Sequence, residues 1–160
     1  MVRLAADLRE RHGLKARPVA AARLHLSLNF VGHFRGPPTR AVMEKAAALA
    51  DRVAEPPFKI TLDHVESWTN DAQPIVLLGE EGAIGAERLH TAIHKALVVG
   101  TMAPRREPQI RPHVTLLWDK GTFPKTFVEP VSWTAQEFVL LDSIFGEGRH
   151  EVLGRWRLTG

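Results

Sequence analysis

Apolar and polar positions along the chain alternate between stretches with a period near 3.6 and stretches with a period of two. Residues 2–13 place Val2, Leu4, Ala5, Leu8 and His12 roughly on one side before Gly13, which predicts an amphipathic helix. Residues 22–31 predict a strand ended by Gly32. Gly36-Pro37-Pro38-Thr39 marks a loop whose threonine can cap the next helix. That helix, predicted over 40–54, stripes Val42, Ala46, Leu49, Ala50 and Val53 along one side and is closed by Pro56 and Pro57. Strands follow at Phe58–Val65, by alternation, and at Ile75–Leu78, a short continuous apolar run. Gly79–Gly85 reads as a flexible turn, and a helix over 84–99 is expected to bury Ile84, Leu89, Ile93 and Leu97. Beyond a loop over 100–110, residues 111–119 read as a strand, then a turn at Gly121–Pro124. Strands near 131–143 and 149–158 complete the pattern, with Gly146-Glu147-Gly148 as a hairpin tip.

Reduced to elements, each half holds a helix and a histidine-bearing strand, with further strands appended, like a degenerate internal duplication. Mixed antiparallel strands with helices on the outside make an α+β fold. With 160 residues and no linker or low-complexity tract, one domain over residues 1–160 is expected. The 44% hydrophobic and 24% charged content fits a soluble globular protein. No window reaches the roughly 18 apolar residues of a membrane span. Charges at Arg3, Asp7, Arg9, Glu10 and Arg11 fall where an export signal needs an apolar core. The chain has no cysteine, which excludes disulfides, thiolate chemistry and cysteine-ligated metals, and a cytoplasmic address fits.

The net charge of +3 is unevenly spread. Arg3, Arg9, Arg11, Lys15, Arg17 and Arg23 stand against only Asp7 and Glu10, and Arg105, Arg106 and Arg111 precede the second histidine strand. Such clusters attract polyanions such as RNA, although a solvated helix face and a charged loop account for them equally simply.

The candidate chemistry lies in two short frames. Among the eight histidines, only His25 and His113 stand in a His-apolar-Ser/Thr-apolar pattern, as His25-Leu26-Ser27-Leu28 and His113-Val114-Thr115-Leu116. On a strand, His113 and Thr115 project from one face while Val114 and Leu116 project from the other. Pro112 lacks an N–H and suits the start of such a strand. Two imidazoles facing one another form a general acid–base pair near neutral pH. Ser27 and Thr115 are placed to donate hydrogen bonds to a non-bridging oxygen of an anionic ligand. The constellation needs no metal, no cofactor and no covalent intermediate, and it suits a phosphodiester, above all a strained cyclic one.

The paired frames resemble the two His-x-Thr/Ser-x motifs of the 2H phosphoesterase superfamily, most closely its RNA 2′,3′-cyclic phosphodiesterases, also called 2′-5′ RNA ligases (LigT/ThpR-like). The resemblance extends over Leu24–Gly32, Pro57–Leu62, Arg111–Leu117 and Gly148–Trp156. It implies a bilobal fold of two antiparallel sheets with outer helices, the histidine strands side by side along a central cleft with pseudo-twofold symmetry. It also implies opening of an RNA 2′,3′-cyclic phosphate to a 2′-phosphate, with His113 activating water, His25 protonating the leaving 3′ oxygen, and Ser27 and Thr115 holding the phosphate. Reversible 2′-5′ joining follows from the same site. The implied partners are RNA 3′ ends or small cyclic nucleotides, bound by a monomer with no protein partner.

The chain departs from the family pattern twice. The apolar strand that usually precedes the first helix is missing, and Trp118 stands where an arginine is usual, three residues beyond Thr115. Arg111 or Arg106 is expected to supply the charge and Trp118 to stack on a base. A degenerate, non-catalytic protein that binds RNA ends or nucleotides is the alternative these departures motivate. His90 and His94 have helical i, i+4 spacing but no third ligand, so they read as surface histidines rather than a metal site. Trp68, Trp133 and Trp156 read as core or edge aromatics, and Asp119 and Glu107 as partners for arginines.

Overall fold

A computed structural model describes residues 1–144 and 146–160. The chain opens on helix α1 (Val2–Arg11), followed by α2 (Arg40–Ala50) and α3 (Ile84–Val99). The strands are β1 (Phe58–Ser67), β2 (Pro74–Leu78), β3 (His113–Trp118), β4 (Thr126–Ala135), β5 (Glu137–Ile144) and β6 (Arg149–Arg157). The α+β class is as expected. Its two sheets are a four-stranded one in the order β3-β2-β1-β4 and a β5-β6 hairpin.

By contacts the chain forms two compact units, each assembled from three separated segments rather than from one half of the sequence. The first comprises residues 1–27, 60–84 and 111–133. Its centre is β2, all five of whose residues are buried, which explains the continuous apolar run. β2 pairs antiparallel with β1 on one side and β3 on the other. Ala5 and Leu8 of α1 are buried, and α1 lies against β3. The segment after α1 is fastened to the end of β3 by Asp119, whose Oδ2 accepts the Lys15 and Ala16 N–H groups at 2.8 Å each. Its Oδ1 accepts Gly121 N–H at 2.9 Å, so Asp119 organises backbone rather than pairing with an arginine. These backbone donors hold its carboxyl below the ordinary range.

The glycines after β2 form a turn packed closely against β1 rather than the flexible turn expected. A Cβ at Gly79 would meet the Thr61 carbonyl oxygen at 2.0 Å, so only glycine allows this approach. A 3-10 turn at Glu81–Ala83 then leads into α3.

The second unit comprises residues 28–59, 85–110 and 134–160. Thr39 caps α2 as its sequence suggests, its hydroxyl accepting the Val42 N–H at 3.4 Å. The core gathers Leu89, Phe138 and Leu158 with Leu28, Phe58, Ile93 and Trp156 around them. Phe138 and Trp156 are register partners on β5 and β6, with stacked rings 5.5 Å apart. Ile84, expected in the core, is 57% exposed because it stands at the first position of α3, and Ala86 and Leu89 face inward instead.

The strand expected near 131–143 is two strands, broken at Gln136, with β4 in the larger sheet and β5 in the hairpin. The strand expected over 22–31 is reduced to a 3-10 turn at Ala21–Arg23 and one antiparallel bridge, Leu26 to Val114. Among the described residues no helix is long and apolar enough to cross a membrane.

Candidate active site

The single Leu26–Val114 bridge does the decisive positioning. Val114 belongs to the buried back of β3, together with Leu116. Because side chains alternate, the residues flanking the bridge on both segments share the opposite face. Continued by one residue each way, this register sets His25 across from Thr115 and Ser27 across from His113. Each imidazole therefore lies beside the other frame's hydroxyl. His25 and Ser27 are exposed, and His113 and Thr115 half-buried, so the face is reachable.

Both rings are anchored in the same way. His113 Nδ1 lies 2.7 Å from the carbonyl oxygen of Arg111, and His25 Nδ1 lies 2.8 Å from that of Arg23. A carbonyl oxygen only accepts, so each Nδ1 carries the proton, and acid–base exchange at either ring falls to Nε2. The frames thus extend backwards to Arg-x-His-x-Ser/Thr, with the arginine supplying the anchoring carbonyl. Burial of His113 pushes its imidazole below its ordinary value, opposed by the Arg111 carbonyl and assisted by the charges of His25 and Arg111. Burial therefore favours the neutral form of His113, whose lone pair is on Nε2.

Trp118 reaches this face through an irregularity. Ile75 pairs with Leu117 but Val76 with Thr115, so Leu116 is an extra residue on β3. Strict alternation would send Trp118 to the back with Val114 and Leu116. The bulge turns the strand over, and Trp118, opposite Pro74, rejoins the face of His113 and Thr115 at 51% exposure.

The family model of the 2'-5' RNA ligase superfamily matches residues 2–143. The chain belongs to this superfamily. It is 33% identical over 149 residues to the RNA 2',3'-cyclic phosphodiesterase of Escherichia coli (strain K12), covering 89% of this chain and 80% of that protein. The crystal structure of E. coli LigT complexed with 3'-AMP superposes with a TM-score of 0.78 at 27% identity, covering 99% of this chain and 91% of that one. A Thermus thermophilus structure is similar in fold, with a TM-score of 0.76 at 23% identity over 99% and 90% of the two chains.

In this superfamily member all the residues expected to act together, His25, Ser27, Arg111, His113, Thr115 and Trp118, fall in the first compact unit. Arg111 is already engaged: its two terminal nitrogens donate to the two carboxylate oxygens of Glu66 at 3.0 Å each. Trp68, read from the sequence as a core or edge aromatic, lies instead against His113, with ring centroids 4.6 Å apart. Nothing local in the sequence marks Glu66 or Trp68 as neighbours of the site. The available signal is their spacing of two at the end of β1, which gives them a common face.

His90 and His94 lie in the second unit and are not surface residues, with 3% and 4% exposure. The ring nitrogens of His90 face the Leu28 and Pro108 carbonyl oxygens at 2.9 and 3.1 Å, so the ring braces backbone. Glu107 lies 3.6 Å from His90 Nε2 and accepts the Thr91 hydroxyl at 2.5 Å, rather than pairing with an arginine. Arg105 and Arg106 are exposed and belong to this second unit, not to the one that holds the histidine face.

Proposed function

We propose that this chain hydrolyses RNA-terminal 2′,3′-cyclic phosphate to a 2′-phosphate by paired-histidine acid–base catalysis without a metal ion. The observation that carries this reading is the shared anchoring of the two rings, Nδ1 to a backbone carbonyl, beside the register that sets each across from the other frame's hydroxyl. His113 Nε2 takes a proton from water as its oxygen bonds to phosphorus. The bond from phosphorus to the 3′ oxygen breaks, and that oxygen takes the proton from His25 Nε2. Ser27 and Thr115 donate to the non-bridging oxygens, where charge grows in the transition state. A 5′-hydroxyl in place of water leaves a 2′-5′ link, and the reverse cleaves it. Trp118 supplies a stacking surface for the terminal base. Arg111, held by Glu66, contributes its field rather than a free guanidinium. The E. coli relative's activity supports the substrate class.

The test is an RNA ending in 2′,3′-cyclic phosphate, incubated with the full chain in EDTA, with the product's phosphate located by phosphorus NMR. A 2′-phosphate formed in EDTA supports the reading. A 3′-phosphate, or activity only with added metal, contradicts it. Binding of the RNA end without turnover favours the non-catalytic alternative, which the arginine-to-tryptophan departure at Trp118 motivates.

A further inference from the structure

A closed path of contacts begins and ends on His113. Its Nδ1–H donates to the carbonyl oxygen of Arg111 at 2.7 Å. The guanidinium of Arg111 spans both oxygens of Glu66 at 3.0 Å each. Glu66 Oε2 also accepts the indole N–H of Trp68 at 3.0 Å. The Trp68 ring, crossed at 5.5 Å by the Arg111 guanidinium, returns to the His113 ring at 4.6 Å with the planes tilted by 59°. All four residues lie in the first compact unit.

We propose that Glu66 and Trp68 are positioning residues for the His113 imidazole, acting with Arg111 as a clamp that fixes the direction of Nε2. This rests on the paired-histidine reading above. An imidazole held only at Nδ1 still pivots about that hydrogen bond, whereas a second contact on the ring removes the pivot. Glu66 is the keystone, since one carboxylate holds both the guanidinium and the indole. The Arg111 hydrogen bonds are the chief cause that holds its carboxyl below the ordinary range. The pair is bidentate, with the Arg111 side chain 57% and that of Glu66 20% exposed, a geometry that fixes the direction of both groups. The indole also keeps water from one side of His113, and burial is the main cause of that ring's lowered proton affinity.

Among the described residues, few charged and titratable groups face the clamp. His113 faces His25 and Arg111. Glu66 faces Arg111 and the buried His64, whose Nε2 lies 3.8 Å from Oε1 and whose Nδ1 lies 2.7 Å from Asp63.

The experiment compares the full chain with its Trp68→Leu, Trp68→Phe and Glu66→Gln variants. It follows the His113 ring by NMR titration, assigned with His113→Ala, and measures kcat and KM across pH on RNA ending in a cyclic phosphate. Trp68→Leu is expected to raise the pH at which His113 titrates. It should also lower kcat roughly ten- to hundredfold with KM within about threefold. Trp68→Phe, which keeps a ring, should restore most of both, and Glu66→Gln should lower kcat as Trp68→Leu does while moving the His113 titration down, since it leaves the Arg111 charge uncompensated. Unchanged titration and kcat in folded Trp68→Leu and Glu66→Gln would overturn the clamp. Should the parent protein turn over no cyclic phosphate, the paired-histidine reading fails, while the titration alone still decides the clamp.

Discussion

His113 is half-buried, and burial disfavours its charged form. A base must be neutral to accept a proton, so the lowered value keeps His113 competent below the pH at which an ordinary histidine protonates. The acid limb of kcat/KM is therefore expected below the ordinary histidine value of about 6.5, and an acid limb at or above that value would contradict the assignment of His113 as base. Stability follows the same sign. The unfolded chain binds more protons at this residue, so its contribution to folding is present above about pH 6.5 and is lost as pH falls through the lower folded-state value.

Between residues and the whole fold, the bulge in β3 decides which side chains share the histidine face. By returning Trp118 to the histidine face, the extra residue Leu116 brings an exposed indole to the side of the strand that carries His113 and Thr115. Trp118→Ala is expected to raise KM for RNA ends by about five- to a hundredfold, the range that stacking on one base spans, with kcat little changed. An equal rise in KM for a ribose 2′,3′-cyclic phosphate lacking a base would show that Trp118 does not act by stacking.

The elements also mark where the sequence was legible. Both histidine frames could be read because period-two alternation is a local property, and α3 was bounded correctly for the same reason at helical period. The bulge could not, since an extra residue in β3 shows only against β2. The break at Gln136 was equally hidden, because two apolar strands that join different sheets read as one run. The first histidine strand is shorter than its alternation suggests. One bridge to Val114 fixes its face, and among the described residues no ladder supports the rest.

For the whole molecule, the two compact units do not follow the two halves of the sequence. Each compact unit draws on three separated segments, and His25, Ser27, His113 and Thr115 all fall inside the first. Glu66 and Trp68 come to His113 from a third part of the chain, a long-range arrangement that no window of sequence contains. The central claim is that His25 and His113 act as one device in one step. The most direct test is kcat for RNA 2′,3′-cyclic phosphate opening, in EDTA, by the His25→Ala, His113→Ala and double variants. Groups that act as a unit are non-additive, so each single change should cost ~10²- to 10⁴-fold and the double little more than either. Losses that multiply in the double variant, or a single variant that keeps its turnover, would contradict the pairing.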